Sequence, residues 1–169
     1  GSPNSLSAAQ IRTLSETLRT SFRIGPETEF AVEMDPRWLD DDQIRAFADS
    51  GVNRASIGVQ DFNPEVQTAI NRVQSVEMTR RAVDALREAG VRGVNIDLVY
   101  GLPHQTRDSV ANTIGEVIRL DPGRSDHRFR LVQLYLQQDK VDEAIATARD
   151  AVGANPSDID AKMALAQLL

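Results

Sequence analysis

GVNRASIGVQDFNPEVQTAINRVQ, residues 51–74, decides the fold. Its apolar run Ala55–Val59 predicts a strand from Arg54 to Val59, bounded before by Gly51. Asn63 then offers an N-cap, Pro64 suits a first helical position, and Val66, Ala69 and Ile70 give the short helix Pro64–Asn71 an apolar side. Gln60 and Asp61 leave the strand, and Arg72 follows the helix. A surface loop needs no such mixture of amide, carboxylate and guanidinium groups, so the stretch is a candidate site as well as a crossover.

The same alternation continues on both sides. Helical periodicity predicts Ser7–Phe22, Asp40–Ser50, Ser75–Ala89 and Thr106–Leu120, with Ser7 and Ser75 as caps and Gly51 and Gly90 as stops. Glu29–Glu33 (EFAVE) and Val94–Tyr100 (VNIDLVY) supply two further strands, and Asp35-Pro36 breaks the first. Strands joined by helices pair in parallel, under a layer of helices. Chemistry in such sheets collects at the carboxyl ends of the strands. Glu33-Met34-Asp35, Gln60-Asp61, and Asp97 with Tyr100-Gly101 all fall there. Ile96, Leu98 and Val99 imply a buried strand around Asp97, whose carboxylate then requires partners. Asn53, Asn71 and Asn95 are assigned to turns, and Trp38 and Phe62 to packing.

Beyond Pro122 no strand follows. Asp126–Gln137, Val141–Ala154 and Asp158–Leu169 are Ala- and Leu-rich helices. The breaks LDPGR at Pro122 and ANPSD at Pro156 lie 34 residues apart, the period of a tetratricopeptide repeat. Leu131, Tyr135, Ala144, Ala151 and Pro156 fall on that motif, whereas Arg128, Val132 and Ala148 replace its usual Trp, Gly and aromatic. The tail resembles one complete repeat and the first helix of a second, or else a generic helical hairpin. Since about three repeats are needed for independent stability, it is expected to borrow the helix before Pro122.

Composition excludes several classes. A net charge of -6 and a pI near 4.9 argue against a nucleic-acid surface. No run approaches the ~20 apolar residues of a membrane span, and no signal peptide is visible, so a cytoplasmic protein is expected. With no cysteine, disulfides and thiolate metal sites are excluded. His104 and His127 are expected to be exposed or capping, with no metal site and no catalytic residue assigned.

VEMDPR (32–37), GVNRASIGVQDFNPEVQTAINRVQ (51–74) and NIDLVYGLPHQT (95–106) resemble oxygen-independent coproporphyrinogen III oxidase, a radical S-adenosylmethionine (SAM) enzyme of haem biosynthesis. Related radical-SAM haem chaperones share GLP and GVQ and rank second. The resemblance runs from about Pro3 to about Arg124. It implies a partial (β/α) barrel with about three parallel strands, on which Glu33, Gln60, Arg72 and Asp97 contact SAM. Each of these has a plainer alternative as a strand-end charge, loop bond or ion-pair partner.

The resemblance also implies a four-iron four-sulfur cluster held by a CxxxCxxC loop, which it places before Pro3. No cofactor is therefore expected in this chain. The expected organisation is a partial barrel over 3–124 and a tetratricopeptide-like segment over 125–169, the pair resembling an engineered chimera. This predicts an inactive fragment of a decarboxylating oxidase. The alternative is a protein-interaction module or a ligand-free scaffold. Expected partners are a second copy, through open sheet edges, and a peptide or protein on the tail.

Overall fold

The computed structural model describes residues 2–25 and 27–169. Side-chain caps set most helix starts. Ser7, Asp40, Asn63, Ser75, Thr106 and Asp158 each accept a backbone N–H of the first turn that the helix itself leaves unpaired. The resulting elements are α1 (Ala8–Ser21), β1 (Ala31–Met34), α2 (Asp41–Asp49), β2 (Arg54–Gln60), α3 (Pro64–Ala69), α4 (Val76–Glu88), β3 (Gly93–Leu98), α5 (Arg107–Leu120), α6 (Ser125–Leu136), α7 (Val141–Ala154) and α8 (Ile159–Leu168). They fall into two units: the described residues up to Gln60 with Arg72–Val99, and Asp61–Asn71 with Tyr100–Leu169.

The first unit is a three-stranded parallel sheet in the order β1-β2-β3, with α1, α2 and α4. Each strand lies beside its predecessor. A doubly wound sheet reverses direction, whereas successive right-handed crossovers in one direction put all helices on one face, as in a (β/α) barrel. The side-chain period of two sorts the residues between the faces. Val32 and Met34, Ala55, Ile57 and Val59, and Val94 and Ile96 are all buried. α4 packs on β2 and β3, contributing Ala82, Val83 and Leu86, while α2 brings Ile44 and Phe47 between α1 and α4. The opposite face carries Glu33, Arg54, Ser56, Gly58, Asn95 and Asp97.

Two strand boundaries differ from the sequence expectation by two residues, the others by one at most. β1 begins at Ala31 because Asn53 occupies the preceding segment. Its side chain accepts from Phe30 N and donates to Thr28 O. β3 ends at Leu98, two residues early, because β2 bulges between Gly58 and Gln60 and leaves little strand to pair with. Val99 N still reaches Gln60 O at 3.0 Å, but Val99 and Tyr100 are exposed. Trp38, assigned to packing, is 69% exposed: the 3-10 turn Pro36–Trp38 buries its proline and leaves the indole outside.

In the second unit α5, α6, α7 and α8 pack in succession, and α6 does rest on α5, the helix before Pro122. Adding 34 to the bounds of α5 gives those of α7, and adding 34 to Ser125 gives the first residue of α8. The offset carries burial with it. Val110, Ile114 and Val117 are buried in α5, as are Ala144, Ala148 and Ala151 in α7. α5 therefore stands in the repeat register as the second helix of a preceding unit. Arg128, in the place of the motif's Trp, is buried and donates to Pro122 O at 2.7 Å and Arg124 O at 3.3 Å, holding the turn after α5.

His127 corrects the expectation of exposed histidines. It is 8% exposed, and its Nε2 lies buried without a hydrogen-bond partner. Burial, with Arg124 adding to it, holds the imidazole below its ordinary value. The folded chain thus favours neutral His127, a contribution present above the unfolded value of 6.5 and lost as pH falls through the folded one. The melting temperature is expected to fall between about pH 7 and about pH 5, and to fall less in His127→Leu. Equal falls, read by circular dichroism, would remove His127 from the account.

Candidate functional site

The polar face of the first sheet gathers the groups that the sequence singled out. Parallel register places Glu33 opposite Ser56 and Ser56 opposite Asn95, and two residues further on places Gly58 opposite Asp97. Asp97 is half-buried, not enclosed: the strand hides Val94 and Ile96 on its other side. Asn95 Nδ2 donates to Asp97 Oδ1 at 2.5 Å. Burial, then the like charge of Glu33, lift the Asp97 carboxyl above its ordinary value against the hydrogen bonds of Ser56 and Asn95. Asn95 is thus a site neighbour, not a turn former.

Gly58 creates a notch beside this row. A Cβ there would come within 2.9 Å of Gln60 Nε2 and 3.0 Å of Arg72 Nη2, so both side chains cross the glycine where no other residue leaves room. Gln60 holds φ of 70°, the left-handed region that non-glycine residues seldom adopt. That backbone turns the chain at the strand end, with its amide returned over Gly58.

Arg72 is fixed from two sides. Nη2 donates to Gly58 O at 2.7 Å, and Nη1 lies 3.2 Å from Asp35 Oδ2, while Nε is buried and unpartnered. Arg37 also grips Asp35, with Nη2 2.7 Å from Oδ2 and Nε 3.0 Å from Oδ1. Asn4 takes both backbone groups of Asp35, donating to its O at 2.8 Å and accepting from its N at 3.2 Å. Burial tends to raise the Asp35 carboxyl, but the Arg37 bonds and the Arg72 and Arg37 charges outweigh it and hold Asp35 below its ordinary value.

The first unit therefore brings Glu33, Gln60, Arg72 and Asp97 together around one sheet face. Sequence reasoning missed Ser56, Gly58, Asn95 and the tie from Asp35 to Arg72. Period-two alternation through β2 and β3 was the signal for the first three; nothing local to Asp35 announces a partner 37 positions away. The donor set suits SAM. Glu33 and Asp97 can accept from an ammonium and a ribose diol, Gln60 can give or accept, and Arg72 supplies a guanidinium charge beside them. The iron–sulfur cluster does not fit these residues, because 169 residues without cysteine furnish no thiolate. Among the described residues no group of three His, Asp or Glu could hold a metal ion, and no helix is long and apolar enough to cross a membrane.

The charge pairing makes a prediction. Asp97→Asn keeps the shape and removes the repulsion from Glu33, so it should stabilise the fold by on the order of 1 kcal/mol at neutral pH. Because the folded value is raised, that gain should vanish as pH falls below the ordinary carboxylate value of 3.8. Urea unfolding at several pH values reads both parts.

The sequence profile of the radical SAM superfamily matches residues 1–117. The chain belongs to the radical SAM superfamily. A tetratricopeptide-repeat profile matches residues 108–168, so the two profiles share the first part of α5. Oxygen-independent coproporphyrinogen III oxidase of Cereibacter sphaeroides is 48% identical over 124 residues, 73% of this chain and 27% of that protein. The solved coproporphyrinogen III oxidase of Escherichia coli superposes with a TM-score of 0.68 at 42% identity, over 72% of this chain and 28% of that one. Elp3 of Methanocaldococcus infernus, at 19% identity and a TM-score of 0.55 over 68% of this chain and 31% of its own, shares the fold. This radical SAM chain thus spans little more than a quarter of the length of the coproporphyrinogen oxidases it matches.

Proposed function

We propose that the first unit is the SAM-binding face of an oxygen-independent coproporphyrinogen III oxidase, with Glu33, Gln60, Arg72 and Asp97 as its contacts. The observation that supports this most is the shared polar face, on which Glu33 and Asp97 flank β2 closely enough for the charge of Glu33 to raise the Asp97 carboxyl. Glu33 and Asp97 would receive the ammonium and ribose hydroxyls, the positive charge of the Arg72 guanidinium would balance the carboxylate, and the Gln60 amide would orient the ligand over Gly58. Bound SAM supplies a sulfonium whose carbon–sulfur bond opens on reduction. The thiolates that would hold the reducing cluster are not among these 169 residues, which are proposed to bind without catalysing. Three strands enclose little of a ligand, so affinity should be weak, on the order of 1 mM. Titration of SAM into the labelled chain, followed by NMR, should shift the Glu33, Gln60, Arg72 and Asp97 signals, and Asp97→Ala should abolish the shifts. No change at about 10 mM SAM, tenfold above that affinity, would defeat the proposal.

A second reading concerns the tail. The 34-residue offset and the tetratricopeptide match favour a helical protein-interaction surface there. In this reading the partial barrel spans 3–124 and the tail 125–169, and α5 serves both frameworks, as a chimeric chain would allow. The outer edges of β1 and β3 have no strand beside them among the described residues, which is where self-association would occur. A cytoplasmic location accords with this reading.

A further inference from the structure

The second unit holds a cavity that the repeat register does not explain. It measures about 380 Å³, within the range of small-ligand sites, and opens between α5 and α6. Arg107, Val110 and Ile114 line it from one face of α5 at helical spacing, and Arg130 and Leu134 line it from α6. Val110 and Ile114 are buried, and with the half-buried Leu134 they give the cavity an apolar floor. Tyr100, which is exposed, stands in its wall.

The charge of this cavity is opposite to that of the chain. The chain carries -6, yet no Asp or Glu among the described residues lines the cavity, and two arginines do. The acids near them on these helices are already paired: Asp108 with Lys140 at 2.8 Å, Glu116 with Arg119, and Asp126 with Arg124 at 3.2 Å. Arg107 gives one N–H to Gln137 O at 3.1 Å, which holds its guanidinium across from α5 to the end of α6 but leaves its charge unbalanced. Arg130 makes no hydrogen bond or ion pair among the described residues. Two guanidinium charges over an apolar floor fit a ligand with an anionic end and an apolar body. The floor limits its size. Val110 and Ile114 lie four residues apart on α5, about 6 Å along the axis, which suits a single ring and not an extended chain segment. We propose that the α5–α6 cavity binds a small aromatic monocarboxylate, its ring on Val110, Ile114 and Leu134 beside Tyr100 and its carboxylate met by Arg107 and Arg130. Tyr100 can take such a ring edge-on or offset, and a guanidinium fork matches a carboxylate. This stands apart from the SAM face and requires of the tail only that α6 rests on α5.

The probe is phenylacetate, titrated into the full methyl-labelled chain and followed by NMR. The Val110, Ile114 and Leu134 signals should shift together and saturate with a Kd on the order of 1 mM. Phenylacetamide, of the same shape without the charge, should bind about tenfold or more weakly, and so should phenylacetate to Arg130→Gln. Because Arg130 is exposed and unpaired among the described residues, that variant should keep the wild-type melting temperature. The proposal is overturned by an absence of saturable shifts at about 10 mM phenylacetate. Shifts confined to residues outside the cavity, equal binding of the amide, or an unchanged Kd in Arg130→Gln would each overturn it too. So would tighter binding of a short peptide ending in phenylalanine than of the free acid, since the occupant would then be the end of a protein chain.

Discussion

Replacing Asp61 with alanine should cost about 4 kcal/mol and lower the melting temperature by roughly 8–16 °C. Asp61 is fully buried, and its carboxylate is the meeting point of three donors. Thr113 Oγ1 reaches it at 2.8 Å, Gln105 Nε2 at 2.6 Å and Asn63 N at 2.7 Å, all neutral groups. Alanine would remove their shared acceptor, at greatest cost at Thr113, which is buried, and at less cost at the half-buried Asn63 and Gln105; a buried donor so orphaned costs about 1–3 kcal/mol. Asn tests the account more finely. Its oxygen can serve Asn63 and Thr113, but its amide would meet the amide of Gln105. That side chain cannot simply turn over, because its Oε1 accepts from Gly101 N at 2.8 Å and Leu102 N at 3.3 Å. Asp61→Asn should therefore fall between wild type and alanine, at about 1–3 kcal/mol. If alanine and wild type unfold at the same urea concentration, the carboxylate is not what ties α3 and α5 to the loops around them.

That tie separates the two halves of QDFNPE. Gln60 belongs to the sheet face, while Asp61, with its backbone oxygen holding Gln67 Nε2 at 2.9 Å, is architecture of the second unit. Residue types alone gave both the same chance of contacting a ligand. The fold class was legible because capped helices alternated with β-rich runs, and because each Gly or Pro stop agreed with the period before it. Strand ends were less legible. Val99 and Tyr100 favour strand, but a strand stops where its neighbour does, and β2 ends in a left-handed residue that sequence did not mark. His127 was legible in principle, since 34 positions on stands the fully buried Ala161. The 34-residue offset that spaces Pro122 and Pro156 spaces these buried positions too. The four site residues could be nominated singly. Their common face required the register, and the hold on Arg72 required contacts between residues far apart in the chain.

That hold carries the other large effect. Asp35→Ala should destabilise by about 3–5 kcal/mol, the usual consequence of removing one partner from a buried ion pair. The Asp35 side chain is 11% exposed, and those of Arg37 and Arg72 are 23% and 22% exposed, so solvent takes up little of the loss. Without the carboxylate, two guanidinium groups face the same pocket. Arg72 would keep its bond to Gly58 O and lose its pairing with Asp35, and Arg37 would lose its fork. A double-mutant cycle isolates the link. Arg72→Ala should cost less in the Asp35→Ala background than in wild type, since the guanidinium has already lost its partner. Acid should act in the same sense. The folded Asp35 value is depressed, so its contribution is present above the ordinary value of 3.8 and is lost as pH falls through the folded value. The wild type should lose this part of its stability in acid, and Asp35→Ala should lack that limb. Additive losses in the cycle together with parallel acid limbs would mean that Arg72 is positioned by Gly58 alone. Gly58→Ala would then be the variant expected to displace it, since the new methyl enters the 3.0 Å gap beside Nη2.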